Sequence, residues 1–240
     1  MKTIGLIGGM SWRSSLEYYR IINETAQNKL GGWHSAKILM YSVDFDEIDL
    51  EHNGEKRIKS DKILVDAARN LEKGGADLVV ICANTVHLIF DKIQENVKIP
   101  VLHIADATAE KIKSAKIKKV GLLGTKITME EDFYKGRLEK KHGLRVIVPP
   151  EKEREIVHQE INNLCLGKTN PQAKQQFIDI INNLVVNGAE AVILGCTEIP
   201  LLIQQEDVKI PLFDTTRIHA ESAVEMALEE KQFKSSVNNY

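Results

Sequence analysis

Two short stretches hold the residue types that could do chemistry. Ala83-Asn84-Thr85 and Cys196-Thr197-Glu198 each follow an apolar run. The longer segments that contain them align without a gap, GADLVVICAN at residues 75–84 and GAEAVILGCT at residues 188–197. That register sets Ala83 against Cys196. A thiol at the start of a helix is expected to titrate low, because unpaired N–H groups stabilise the thiolate, so Cys196 is a candidate base or nucleophile. Asn84, Thr85 and Thr197 add side-chain donors at the same kind of junction. Two such helix starts would suit a small ligand with two carboxylates, or with one carboxylate and a developing enolate. The plain alternative for each of the three is a helix cap.

Other candidates are weaker. Gly8-Gly9-Met10-Ser11 would let a backbone approach a ligand closely, which makes Met10 and Ser11 candidate contacts, but the spacing is not a GxGxxG fingerprint. Thr125 stands where the first half has Gly9, and Thr128 follows one turn later; both could line a cleft or cap the next helix. Cys82 should point to the face opposite Ala83 and pack in the core. Cys165, in a helical stretch, reads as a packed residue. His87 lies about one turn into its helix and could face the cleft or the sheet.

The elements that must position these residues follow from periodicity. Apolar runs at residues 3–7, 37–43, 78–82, 99–104, 119–123, 144–148, 191–194 and 210–213 predict strands. Helical periodicity predicts helices near 14–29, 59–73, 85–94, 105–114, 128–141, 151–166, 171–186 and 219–229, the first capped by Ser14 or Ser15. Alternating strands and helices give an α/β fold with mostly parallel sheet. Two further pairs repeat in the same order: IGLIGG at 4–9 with VGLLGT at 120–125, and IPVLHI at 99–104 with IPLFDT at 210–215. The expected architecture is therefore two similar Rossmann-like lobes related by pseudo-two-fold symmetry, residues 1–98 plus 209–240 and residues 99–208. Ligands of open parallel sheets sit beyond the carboxyl ends of the strands, which places the expected active site in the cleft between the lobes.

Composition narrows the class. The chain has 240 residues, a formal net charge of -2 and 43% hydrophobic residues, enough for a sizeable core. Near-neutral charge argues against nucleic-acid or membrane-surface partners, and no apolar run approaches the roughly 20 residues of a membrane span. Three scattered cysteines without a CxxC or a Cys/His cluster fit a reducing cytoplasm and give no zinc site.

IGLIGGMS near the start, ANTVH at 83–87, LLGT at 122–125 and GCTEIPLL at 195–202 resemble the aspartate/glutamate racemase family of cofactor-independent racemases, over essentially the whole chain. The resemblance implies two α/β lobes around one active site, often in a homodimer. It also implies catalysis by two cysteines on opposite sides of the substrate α-carbon, with no pyridoxal phosphate or metal. It assigns substrate binding to Asn84-Thr85 and Thr197-Glu198. Against that pattern Ala83 holds the first cysteine's place and can carry no proton. Cys165 falls near where some aspartate racemases have a substrate-binding lysine. The usual arginine of the second-strand loop has His52, Lys56, Arg57 and Lys168 as nearby stand-ins.

The expected function is thus racemisation of aspartate or glutamate by Cys196 alone among the repeated pair, slow and biased toward one enantiomer. A single-cysteine decarboxylase of the same superfamily and a dicarboxylate-binding protein without catalysis are the alternatives. A nucleotide-binding oxidoreductase fits worst, because its glycine spacing is absent.

Overall fold

The computed structural model describes residues 1–50, 54–168 and 170–229. Its chain clusters into two compact units. Met1–Cys82, Ile89–His103 and the chain from His219 onward form the first; Ala83–Leu88 and Ile104–Ile218 form the second. Residues 83–88, which the sequence alone leaves in the first lobe, cluster with the second unit.

In the first unit the strands are β1 (Ile4–Gly8), β2 (Ile38–Ser42), β3 (Leu78–Ile81) and β4 (Val101–Leu102), all parallel and ordered β2-β1-β3-β4. Helices α1 (Trp12–Leu30), α2 (Glu55–Lys73) and α3 (Phe90–Gln94) connect them. Alternate residues of the sheet, Ile4, Leu6, Leu78, Val80 and Cys82, pack in one apolar cluster with Tyr18 and Ile22 of α1. Each side chain so buried contributes about 1.5–3 kcal/mol. Cys82 is sealed in that cluster, and burial pushes its thiol far above the ordinary range.

The second unit repeats the plan. β5 (Lys119–Gly124), β6 (Arg145–Ile147), β7 (Ala191–Gly195) and β8 (Leu212–Asp214) form a parallel sheet in the order β6-β5-β7-β8. Helices α4 (Ile104–Ser114), α5 (Lys126–Glu130), α6 (Lys135–Lys140), α7 (Glu151–Cys165) and α8 (Ala173–Val186) belong to it, and α9 (Thr215–Leu228) begins there. The α/β fold with two parallel sheets is the one the alternating runs predict. Helix starts differ in detail. Ser14 and Ser15 lie inside α1 rather than capping it: Ser11 is the N-cap, Ser14 Oγ donates to Cys82 O (2.6 Å), and Ser15 Oγ accepts from Gly9 N (2.8 Å).

Part of the repeated segment is fold grammar. Gly75 and Gly188 have φ of 93° and 89°, a left-handed turn that ends α2 and α8 without a side-chain clash. The acid two residues later then clamps the neighbouring strand. Asp77 Oδ2 accepts from Thr3 N (2.6 Å), and Glu190 Oε2 accepts from both Lys118 N and Lys119 N (2.8 Å each). Those two backbone donors hold the Glu190 carboxyl below its usual range. The first halves of GADLVVICAN and GAEAVILGCT therefore set strand register, and only their ends are left for chemistry.

No helix among the described residues is long and apolar enough to cross a membrane.

Candidate active site

In the second unit the strand order reverses between β5 and β7, and it is beyond this switch point that ligands of parallel sheets bind. Gly124 and Gly195 are paired across the two strands, so Thr125 and Cys196 are the first residues past the paired ends. A Cβ on Gly124 would stand 3.0 Å from Gly195 O and 3.0 Å from Thr128 Cγ2, and one on Gly195 2.8 Å from Leu123 O. Both positions need glycine for this close approach.

Residues 83–88 reach the same place through side-chain bonds. Thr85 Oγ1 lies 2.9 Å from Thr125 Oγ1 and 3.2 Å from Thr128 Oγ1, and those two are 3.0 Å apart, so three hydroxyls form a closed triangle. Thr125 is also the N-cap of α5, accepting from Thr128 N. Both sequence readings of Thr125 hold: it caps a helix and it joins the cluster.

Asn84 Nδ2 donates to Thr215 Oγ1 (3.1 Å), and Thr215 Oγ1 donates to Leu194 O (2.8 Å), two residues before Cys196. Because Thr215 spends its proton on Leu194, the amide of Asn84 must present its NH2 to Thr215. Asn84 Oδ1 is then a buried acceptor with no partner, and the buried hydroxyl of Thr216, next to Thr215 in the chain, has none either. Leaving such a group unsatisfied costs about 1–3 kcal/mol, so the pair marks a place where a ligand's donors fit. Thr215 and Thr216 were missed by sequence reasoning. The signal was present in the third repeated pair, where Thr215 takes the place of Ile104.

Cys196 is 8% exposed and Glu198 3% exposed. Cys196 Sγ donates to Glu198 Oε2 at 3.1 Å, and Thr197 Oγ1 donates to the same oxygen at 2.6 Å. Burial first, then the charge of Glu198, push the Cys196 thiol well above its ordinary range. This overturns the expectation of a lowered pKa. The helix start on which that expectation stood is absent: β7 is followed by a 3-10 turn, Ile199–Leu201, and β3 by another, Thr85–Ile89. Turns of this length carry little of the aligned dipole that stabilises an anion. The resting site is a thiol that donates to a carboxylate.

His87 is a structural residue. Its Nε2 accepts from Ile104 N (3.2 Å), so Nδ1 carries the proton and donates to Ala83 O (2.9 Å), stapling the turn that presents Asn84 and Thr85. Ala83 is 9% exposed. Met10 and Ser11 lie in the first unit, both buried. At Gly9 the close neighbour is protein, since a Cβ there would stand 2.1 Å from Val43 O; the glycine serves a chain crossing rather than a ligand. His52 lies outside the described residues. Of the other stand-ins, Arg57 is tied to Asp61 (2.9 Å) and Lys56 lies 3.9 Å from Asp49.

A family model described as Asp/Glu/Hydantoin racemase matches residues 7–223. The broad specificity amino-acid racemase RacX of Bacillus subtilis (strain 168) is 25% identical over 230 residues, 92% of this chain and 96% of the relative. Among solved structures, a candidate Asp/Glu racemase from Yersinia pestis is 47% identical with a TM-score of 0.88, covering 95% of this chain and all of that one. An aspartate racemase homologue from Pyrococcus horikoshii OT3 is 40% identical with a TM-score of 0.82, covering 95% and 99%.

Proposed function

The chain belongs to the Asp/Glu/Hydantoin racemase family, and from that premise we propose that it interconverts the enantiomers of aspartate or glutamate with Cys196 as the base. The observation that carries this is the Cys196–Glu198 pair at the switch point, in the same unit as the orphaned acceptor of Asn84. The α-ammonium group would satisfy Asn84 Oδ1, and the hydroxyls of Thr85, Thr125, Thr128 and Thr197 would donate to the carboxylates. Positive charge arriving with the ammonium favours ionisation of the thiol, whose proton passes to Glu198. The thiolate then removes the α-proton, and the hydroxyl donors stabilise the enolate that forms. Ala83 has no proton to give. Replacement of the proton must come from another group, which accounts for a slow and one-sided enzyme. Met10 and Ser11 stay in this reading as candidate contacts from the glycine turn that precedes them, and His52 as a stand-in for the family's arginine. Three cysteines, none of them in a disulfide, accord with a cytoplasmic setting.

Proton NMR in deuterium oxide tests this with each enantiomer of aspartate and glutamate in turn. Loss of the α-proton signal with appearance of the other enantiomer is expected for at least one of them. Ligand-induced stabilisation without any exchange would leave a binding protein instead. The single thiol of the repeated pair also favours one second reading, protonation after loss of carbon dioxide. Turnover of a disubstituted malonate, and none of either amino acid, would decide for it.

The same proposal includes a homodimer. Trp12, Leu16 and Tyr19 recur along one face of α1, 60%, 56% and 50% exposed. Met40 of β2 lies on the same side of that sheet, since a Cβ on Gly8 would meet both Ser15 Oγ and Met40 Sδ. An apolar strip beside an open strand edge is what a second copy would cover. Leu16→Glu is expected to convert a dimer to a monomer in sedimentation velocity. A wild-type chain that sediments as a monomer at every concentration removes the dimer.

A further inference from the structure

The turn that carries Asn84 is held from several sides, and what is left to fix is the sense of its amide. The Asn84 carbonyl accepts from His87 N (3.0 Å), its neighbour Thr85 is tied into the hydroxyl triangle, and its side chain reaches Thr215. A half-turn of the amide exchanges Oδ1 and Nδ2 with almost no change of shape, so packing alone cannot choose between them. The choice decides what is recognised. Oδ1 toward the ligand calls for a donor; Nδ2 toward the ligand calls for an acceptor.

A main-chain carbonyl makes that choice, through Thr215. Leu194 and Asp214 are register partners in β7 and β8, which brings Thr215, the next residue, to the end of β7. Asp214 Oδ1 accepts from Thr216 N (2.9 Å) and Arg217 N (3.2 Å), so the first turn of α9 is capped and Thr215 is held in place. Thr215 is sealed from solvent, and its one hydroxyl proton goes to Leu194 O (2.8 Å), which can only accept. Lone pairs are all that Thr215 Oγ1 can offer Asn84, at 3.1 Å. The order carbonyl, hydroxyl, amide therefore runs one way and ends on Asn84 Oδ1, which is buried and has no protein partner. Asn84, Leu194, Asp214 and Thr215 all belong to the second unit. In the third repeated pair Ile104 stands where Thr215 does, and an isoleucine side chain cannot make this latch.

We propose that Thr215 is a positioning residue that gives the site its preference for an amine. By holding Asn84 Oδ1 toward the ligand, it admits the α-ammonium of an amino acid and turns away dicarboxylates that lack one. This assignment rests on the placement of the ammonium at Asn84 in the reading above. An ammonium there gains a charge-assisted hydrogen bond. A ligand without the amine leaves the buried acceptor unpaired, and a carboxylate oxygen in the same place would face another oxygen. Removing the Thr215 hydroxyl frees the amide to turn, so a variant without it should accept the wrong ligand as well as lose the right one.

Full-length wild type, Thr215→Val and Thr215→Ser are compared by titration calorimetry. The ligands are both enantiomers of aspartate and glutamate, and succinate and glutarate, their counterparts without the amine. Wild type is expected to bind at least one amino acid about tenfold or more tighter than its counterpart. In Thr215→Val, close in shape but without the hydroxyl, that ratio should fall by about tenfold or more, the amino acid binding more weakly and the counterpart no worse than before. Thr215→Ser keeps the proton and the lone pairs and should hold the ratio within about threefold of wild type. A merely structural role would weaken both ligands together and leave the ratio where it was, which overturns the proposal. Thr215→Ala is a second hydroxyl-free variant should Thr215→Val fail to fold. The wild type alone can also overturn the assignment, by binding succinate or glutarate as tightly as the amino acid. Exchange of the α-proton is followed alongside. Exchange in the wild type with an unchanged ratio in the variants removes the role of Thr215 and leaves the racemase reading. Selective binding that falls away in Thr215→Val, without exchange in the wild type, does the reverse.

Discussion

Cys196→Ala is expected to abolish exchange of the substrate α-proton with deuterated solvent while leaving the protein folded. The loss follows from chemistry: of Cys196 and Thr197, which both donate to Glu198 Oε2, only the first has a thiol's acidity. Thr197 shares that oxygen at 2.6 Å, but an aliphatic hydroxyl ionises far too rarely to replace sulfur. A drop of 10³-fold or more is expected, toward the upper part of the range for removal of a positioned base, since no second group can deprotonate from the same place. The fold should survive for local reasons. The substitution removes one sulfur atom at a strand end and one hydrogen bond. Glu198 keeps its bond from Thr197, so the carboxylate is not left buried without a donor. A melting temperature within a few degrees of wild type, with exchange at background, is the expected pair of results. Cys196→Ser separates base from spacer, because it preserves a donor to Glu198 and offers only a hydroxyl. Exchange by the serine variant at the wild-type rate would sink Cys196 as the base.

How much of this could be read from the chain depends on how local each feature is. The strands were legible because β1, β3, β5 and β7 are buried on both faces and appear as uninterrupted apolar runs. The likeness of the two units was legible in outline because three segments repeat in sequence order. What failed was whatever depends on the third dimension. Cys196 looked like a thiol at a helix start, but a 3-10 turn follows it, and burial of the sulfur and then the charge of Glu198 two residues away push its pKa up instead of down. Burial is not a property of the local sequence. Thr215 and Thr216 were overlooked for a related reason. Thr215 matters because of its bond from Asn84, 131 residues away along the chain, and Thr216 because its hydroxyl is buried without a partner. Ser14 carried an N-cap composition, yet its hydroxyl donates to Cys82 O instead of accepting from a helix N–H, because the helix begins a turn earlier than its polar residues imply.

Glu198→Gln is expected to move the pH dependence of the site down while lowering its turnover by about 10²-fold or more. In the wild type, burial and the charge of Glu198 both hold the Cys196 thiol above its usual range. The thiolate fraction rises with pH, so a raised pKa places the ascending limb of the rate at higher pH than an ordinary thiol would. Glutamine keeps the shape of the side chain and an oxygen to accept from Cys196 and Thr197, but carries no charge. The repulsion from the Glu198 charge is gone while burial remains, so ionisation should occur at lower pH than in the wild type. Alkylation of Cys196 by iodoacetamide against pH reads that shift directly, without turnover. The same change removes the acceptor for the thiol proton, so the α-proton exchange rate at its optimum should fall even though more thiolate is present. The two readouts therefore move in opposite senses. A carboxylate that only holds the turn after β7 would lower activity and leave the alkylation profile where it was. A profile that stays fixed, or that moves to higher pH, would show that the charge at Glu198 does not control the sulfur.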